Sequence, residues 1–191
     1  MTIKKTNKFV EFFKRFGVYV GVGVVVVGVS LTFAITAIVN AGKGTVPVIN
    51  DKPLQFVLPM SNPTVIKDFS DTALQKNETL NQWEAHLALD LTSEDNLVFA
   101  VLDGTVSDVF SEHLEGKTIK ITHANGYVSY YGSLADEVMV KVGDTVKAGD
   151  KLGMASKSAA AEAGMGEHLH FYMTYNDADV DPNNYLDIQN K

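Results

Sequence analysis

The chain has 191 residues, 46% apolar and 20% charged, a balance that marks a globular protein rather than a disordered one. It contains no cysteine, so disulfides and thiolate metal sites are excluded and any zinc must be held by nitrogen and oxygen. The net charge is −7 but unevenly divided: Lys4, Lys5, Lys8, Lys14 and Arg15 against Glu11 give the first fifteen residues +4, which leaves −11 for the rest. An acidic body of this kind offers no basic stripe, and nucleic acid is set aside as a partner.

From Phe16 to Gly42 no residue is charged, and Val, Ile, Leu and Phe dominate. About 27 residues rising 1.5 Å each exceed a 30 Å hydrocarbon core, which fits one tilted transmembrane helix over 16–42. Gly17-x-x-x-Gly21 is compatible with close approach of two such helices, a pattern common in Gly-rich spans. A cleaved signal peptide has a shorter apolar region and a small-residue cleavage site. The run here is too long and Val39-Asn40-Ala41 is a poor site, which favours an uncleaved anchor. The basic flank precedes the span, so residues 1–15 are expected in the cytoplasm and the body outside it, a single-pass arrangement in the cell membrane. Of the linker 43–53, the ten residues Lys43–Lys52 span at most about 35 Å, which keeps the body close to its membrane.

Beyond Pro53 the sequence reads as short strands and turns, a mainly β, antiparallel body of sandwich or barrel type over 54–187. His86-Leu87-Ala88-Leu89-Asp90-Leu91 alternates strictly. As one strand it aims His86 and Asp90 to one side and three leucines into a core; the spacing alone also suits a helix, and the alternation decides for the strand. Val98–Leu102 leads to Asp103-Gly104 and returns at Thr105, a hairpin signal. Thr118–Thr122 turns at Asn125-Gly126 and returns through Tyr127–Tyr131. The Val142-Gly143-Asp144 and Gly149-Asp150 repeats are similar to those of lipoyl carrier barrels, but no modifiable Lys sits on a hairpin between them, so only hairpin geometry is shared. Ser156–Ala163, rich in Ala, suits a short helix or a loop.

Gly166-Glu167-His168-Leu169-His170-Phe171-Tyr172 is the most telling stretch. A His-x-His in an apolar run places both imidazoles on one strand face, with Leu169 and Phe171 on the other. Together with His86 and Asp90, two same-face pairs in a chain of five histidines point to a bound metal. His123, beside the Asn125-Gly126 turn, reads as a hairpin residue, and His113 as a solvated loop residue.

In this order, His86-x-x-x-Asp90, Tyr127–Leu134, Val140–Gly153, His168-Leu169-His170-Phe171 and the closing Asp181-Pro182 resemble the lysostaphin/LytM-type zinc endopeptidases (peptidase M23), over roughly Leu54 to Leu186. The resemblance implies Zn2+ held by His86, Asp90 and His170, with a fourth position open to water and His168 acting on that water. It also marks a departure. The family's second catalytic His lies in a Tyr-x-His-Leu segment, where this chain has Tyr131-Gly132-Ser133-Leu134. Ser133 has no proton affinity near pH 7, and loss of one acid–base group costs about 10²–10⁴-fold in rate. Ala88 and Tyr172 stand where Gly and Glu are frequent. A LytM-like domain on a short-tethered anchor resembles the sporulation members of the family. That implies an extracytoplasmic scaffold in the channel between forespore and mother cell, meeting a membrane-anchored partner from the facing membrane. The alternative is an active endopeptidase cutting peptidoglycan cross-links.

Overall fold

The computed structural model describes Arg15, Phe16 and residues 54–188. Apart from Arg15 and Phe16, the expected tail, spanning helix and linker lie outside the described residues. Pro53–Lys191 forms a compact unit of its own.

Twelve strands are described: β1 (Thr64–Lys67), β2 (Ser70–Asn77), β3 (Gln82–His86), β4 (Leu89–Thr92), β5 (Leu97–Phe99), β6 (Gly104–Glu112), β7 (Gly116–His123), β8 (Tyr127–Leu134), β9 (Thr145–Val146), β10 (Lys151–Met154), β11 (Leu169–Tyr175) and β12 (Ala178–Val180). One large antiparallel sheet runs β1-β4-β11-β8-β7-β6-β9, with β12 on the outer part of β11. Two small ladders, β10-β5 and β2-β3, complete the domain. The core draws Leu89, Leu91, Ile119, Ile121, Leu169, Phe171 and Met173 from the large sheet and Val98 and Leu152 from the β5–β10 ladder. Each of these side chains is fully buried, worth about 1.5–3 kcal/mol apiece before entropy is counted. Three short 3₁₀ turns are the other regular elements, one of them at Ala160–Met165, where the Ala-rich stretch had allowed a helix or a loop.

Two expected elements are rearranged. Asn125-Gly126 does join a hairpin, β7 to β8, with Asn125 in the left-handed region at φ 63°. Asp103-Gly104 does not: β5 pairs with β10, while β6 pairs with β7 and β9. Gly104 answers to packing rather than to a turn. A Cβ there would lie 2.7 Å from His123 Nδ1, Ile121 Cγ2 and the Thr122 carbonyl, so only glycine lets β6 approach β7. The two Gly-Asp repeats form matching turns. Asp144 accepts from the Lys141 amide at 3.0 Å and Asp150 from the Lys147 amide at 2.7 Å, with Gly143 and Gly149 at φ 92° and 88°.

His123 is a structural residue, as its place beside the turn suggests. Its Nδ1–H donates to the Asp103 carbonyl at 3.0 Å, because a carbonyl can only accept. Nε2 is therefore free to accept from the Ser129 hydroxyl at 2.6 Å, and Ser129 shares a 3.0 Å hydrogen bond with Tyr131, whose oxygen accepts from the Val101 amide. Burial holds His123 below the ordinary histidine range, opposed by the Asp103 carbonyl. A depressed folded value means that its contribution is present above the unfolded value of about 6.5 and lost as pH falls through the lower folded value. His123→Gln should cost about 1–2 kcal/mol at pH 7.5. The gap between wild type and variant should narrow towards pH 5 in urea unfolding; parallel pH curves would refute the assignment.

Candidate metal centre

The register of β4 against β11 assembles the site. Asp90 lies directly opposite His170, flanked by the pairs Leu89–Phe171 and Leu91–Leu169. Alternation then does what the sequence suggests: Leu169, Phe171 and Met173 go into the core, while His170 and Tyr172 face the other way. Tyr172 stacks on Tyr130 of β8, rings 4.3 Å apart and 8° from parallel.

His86 and Asp90 do not share one strand, contrary to the expectation for 86–91. β3 ends at His86, which pairs with Ser70 of β2, and β4 begins at Leu89 between β1 and β11. The chain bends at Leu87–Ala88 because the two strands belong to different sheets. Leu87 is consequently 38% exposed rather than in the core, and only Leu89 and Leu91 are buried. The bend still brings the side chains together: His86 Nε2 lies 3.2 Å from Asp90 Oδ2.

Four side chains converge, one more than expected. Donor atoms of His86, Asp90, His170 and Glu162 all lie within 4.8 Å of one another. His170 Nδ1 is 2.7 Å from Asp90 Oδ1 and 2.9 Å from Glu162 Oε2. Glu162 Oε1 is 3.7 Å from His86 Nε2 and 3.2 Å from Lys67 Nζ, and its Oε2 is 3.3 Å from His168 Nε2. Glu162 comes from the 3₁₀ turn Ala160–Met165, outside any periodic pattern. The one available signal was a lone carboxylate in Ala159-Ala160-Ala161-Glu162-Ala163-Gly164 shortly before the His-x-His.

The chemistry of the facing atoms is that of a cation site. His86 Nδ1–H donates to the Asp68 carbonyl at 2.9 Å, which leaves the Nε2 lone pair pointing inward. Nε2 and Asp90 Oδ2 are both buried and neither has a hydrogen-bond partner. Two acceptors facing each other in a dry site repel unless a cation stands between them. The donor set of two imidazoles and two carboxylates suits zinc, and no thiolate is needed. A proton on His170 answers part of the carboxylate charge. Burial disfavours the charged His170 ring, but Asp90 and Glu162 outweigh it and raise the pair-bonded imidazole to about 10. Burial likewise works against the Glu162 charge, yet His168 and His170 hold its carboxyl well below the usual range. Asp90 is depressed too, where the hydrogen bond from His170 outweighs burial.

Residues 84–182 match peptidase family M23. The chain belongs to this family. Stage II sporulation protein Q of Bacillus subtilis (strain 168) is 30% identical over 141 residues, covering 69% of this chain and 49% of that protein. The chain therefore matches about half the length of that relative. Among solved structures, a chain of the SpoIIQ–SpoIIIAH pore-forming complex superposes with a TM-score of 0.61 at 26% identity, over 71% of this chain and 92% of that one. A zinc-containing peptidase from Vibrio cholerae superposes with a TM-score of 0.55 at 25% identity, over 67% of this chain and 38% of that one.

Ser133 and His168, the two positions expected to be catalytic, are both held by internal hydrogen bonds. Ser133, at the Tyr-x-His-Leu position, is fully buried in the left-handed region at φ 57°. Its hydroxyl donates to the Ser156 carbonyl at 2.9 Å, while its own carbonyl accepts from the Ser156 hydroxyl and amide at 3.0 and 2.7 Å. The Ser156 carbonyl also accepts from the His168 amide at 2.9 Å, so Ser133 ties β8 to the start of the His-x-His. His168 is buried, its Nδ1–H donating to the Gly166 carbonyl at 2.9 Å and its Nε2 turned to Glu162. His113 lies in the exposed turn between β6 and β7 and is not among the clustered side chains. Ser133→Ala should lower stability by about 1 kcal/mol through loss of one buried hydrogen bond. Urea unfolding measures this; a neutral substitution would mean that the hydroxyl plays no part in the tie.

Proposed function

We propose that this chain is an anchored, extracytoplasmic LytM-like zinc domain that serves as an interaction scaffold in sporulation, with its peptidase activity lost. The observation that carries the reading is the likeness to stage II sporulation protein Q and to a chain of the SpoIIQ–SpoIIIAH complex. By that likeness the partner is a SpoIIIAH-type protein anchored in the facing membrane. The apolar run 16–42 and its basic N-terminal flank support a single-pass anchor with the domain outside the cytoplasm. The short linker suits a partner held at a nearby membrane.

His86, Asp90 and His170 are the residues assigned to zinc. An ion with an open fourth position lowers the pKa of its bound water towards 7, which is what hydrolysis requires. The residues that would manage such a water are not free here. Ser133 offers no imidazole and spends its hydroxyl on Ser156, and His168 directs Nε2 to a carboxylate. The surviving His86, Asp90 and His170 set is the observation favouring the second reading, an active endopeptidase on peptidoglycan cross-links.

Three outcomes are expected. The purified full chain should carry one zinc by metal analysis, and His86→Ala should lose it; zinc-free, folded wild type prepared without chelator would sink the assignment. It should bind the soluble domain of a SpoIIIAH-type partner and release no muropeptides from purified peptidoglycan, whereas robust release abolished by His170→Ala would establish the enzyme instead. Protease added to wall-stripped cells should digest the domain and leave a small membrane fragment, and full protection would reverse the topology.

A further inference from the structure

We propose that Glu162 is a fourth protein ligand, closing the position that a catalytic zinc keeps open and making this a structural, four-coordinate site. This rests on the assignment of zinc to His86, Asp90 and His170.

The Glu162 side chain is 7% exposed and turns both oxygens inward, Oε2 to His170 Nδ1 at 2.9 Å and Oε1 towards His86 Nε2 at 3.7 Å. Zinc bonds of about 2.0–2.2 Å to nitrogen and oxygen place tetrahedral neighbours about 3.3–3.6 Å apart. With one atom taken from each residue, the four donors lie within 4.8 Å of one another, so modest side-chain movements bring them to that spacing. The unpartnered Nε2 of His86 and Oδ2 of Asp90, on side chains 4% and 0% exposed, aim into the same space. Asp90 and Glu162 together bring two negative charges to the site, against the one that Asp90 alone supplies.

Glu162 is positioned as ligands are. Lys67, itself 10% exposed, contacts Oε1 at 3.2 Å, and His168 contacts Oε2 at 3.3 Å, the kind of outer support that orients a metal-bound carboxylate. Its turn is fastened from several sides. The Ala160 and Ala161 amides donate to the His113 and Leu114 carbonyls, the Glu162 amide to the Ala159 carbonyl, and the Gly164 amide to the Thr79 hydroxyl. His168, the residue that in an open site would face the water, is thereby assigned to holding the carboxylate. Lys67, Glu162 and His168 form one brace across the top of the site.

The test uses the full chain in detergent with zinc exchanged for cobalt(II), and azide as the probe of an exchangeable position. Wild type should show a tetrahedral visible spectrum that azide leaves unchanged. Glu162→Ala should bind zinc about 10–100-fold more weakly, as loss of even an outer support does, and its cobalt spectrum should shift with azide. An azide-dependent shift in wild type equal to that of Glu162→Ala would overturn the proposal while leaving the zinc site intact. Failure of wild type to bind the metal at all would instead overturn the zinc assignment, and this inference with it. If Glu162→Ala does not fold, the wild-type response to azide decides by itself, insensitivity supporting the closed site and a shift refuting it.

Discussion

The pairing of Asp90 with His170 across β4 and β11 is the constraint on which the site depends. Sheet side chains have a period of two, so a one-residue slip would turn Asp90 into the core and bring a leucine to the metal face. The slip is prevented by hydrophobic burial rather than by the polar groups. Leu89, Leu91, Leu169, Phe171 and Met173 are all fully buried on the opposite face, and each would have to be exposed. The core thus pins a pair of groups that the same chain would otherwise find costly to bring together. An aspartate with no exposed surface is tolerable where imidazoles and a cation answer it.

A peptidase framework and a scaffold need different things from that pinned site. A catalyst needs a vacancy, a nearby imidazole free to move a proton, and groups that hold still around both. In this chain Ser133 and His168 both hold internal hydrogen bonds. Ser133 is drawn into a ladder-like set of bonds with Ser156, and Ser156 in turn fixes His168. Ser133 and His168 are thereby part of the joint between β8 and the strand that carries His170.

Much of this was legible in the sequence, for reasons that can be stated. His168-Leu169-His170-Phe171 and Leu89-Asp90-Leu91 announce themselves because strand alternation separates polar from apolar positions, and Asn125-Gly126 because few residues accept the left-handed region. Legibility fails where tertiary pairing overrides a local pattern. His86–Leu91 alternates perfectly yet breaks, because β3 is claimed by β2 and β4 by β1 and β11. Asp103-Gly104 looks like a turn, but the glycine is there for the His123 ring and the aspartate for Lys147 and the Ala148 amide. Glu162 was invisible for another reason. A 3₁₀ turn has no face to read, and only its contacts with β6–β7 and Thr79 say where the carboxylate goes.

That last point bears on how one fold can hold either a catalyst or a scaffold. The large sheet supplies Asp90 and His170 at positions that the core enforces, and the β2–β3 ribbon supplies His86 beside them. Glu162, the fourth member of the cluster, comes from the segment between β10 and β11, which contributes little to the core. A change of one carboxylate in that segment alters the site's chemistry without disturbing the register of β4 and β11. The converse does not hold, since altering Asp90 or His170 leaves a buried partner unanswered, at a cost of about 3–5 kcal/mol. Under the proposed scaffold function, capping the metal site would end catalysis while leaving the sheet intact, and a bound ion would then bridge the β2–β3 ribbon and the large sheet.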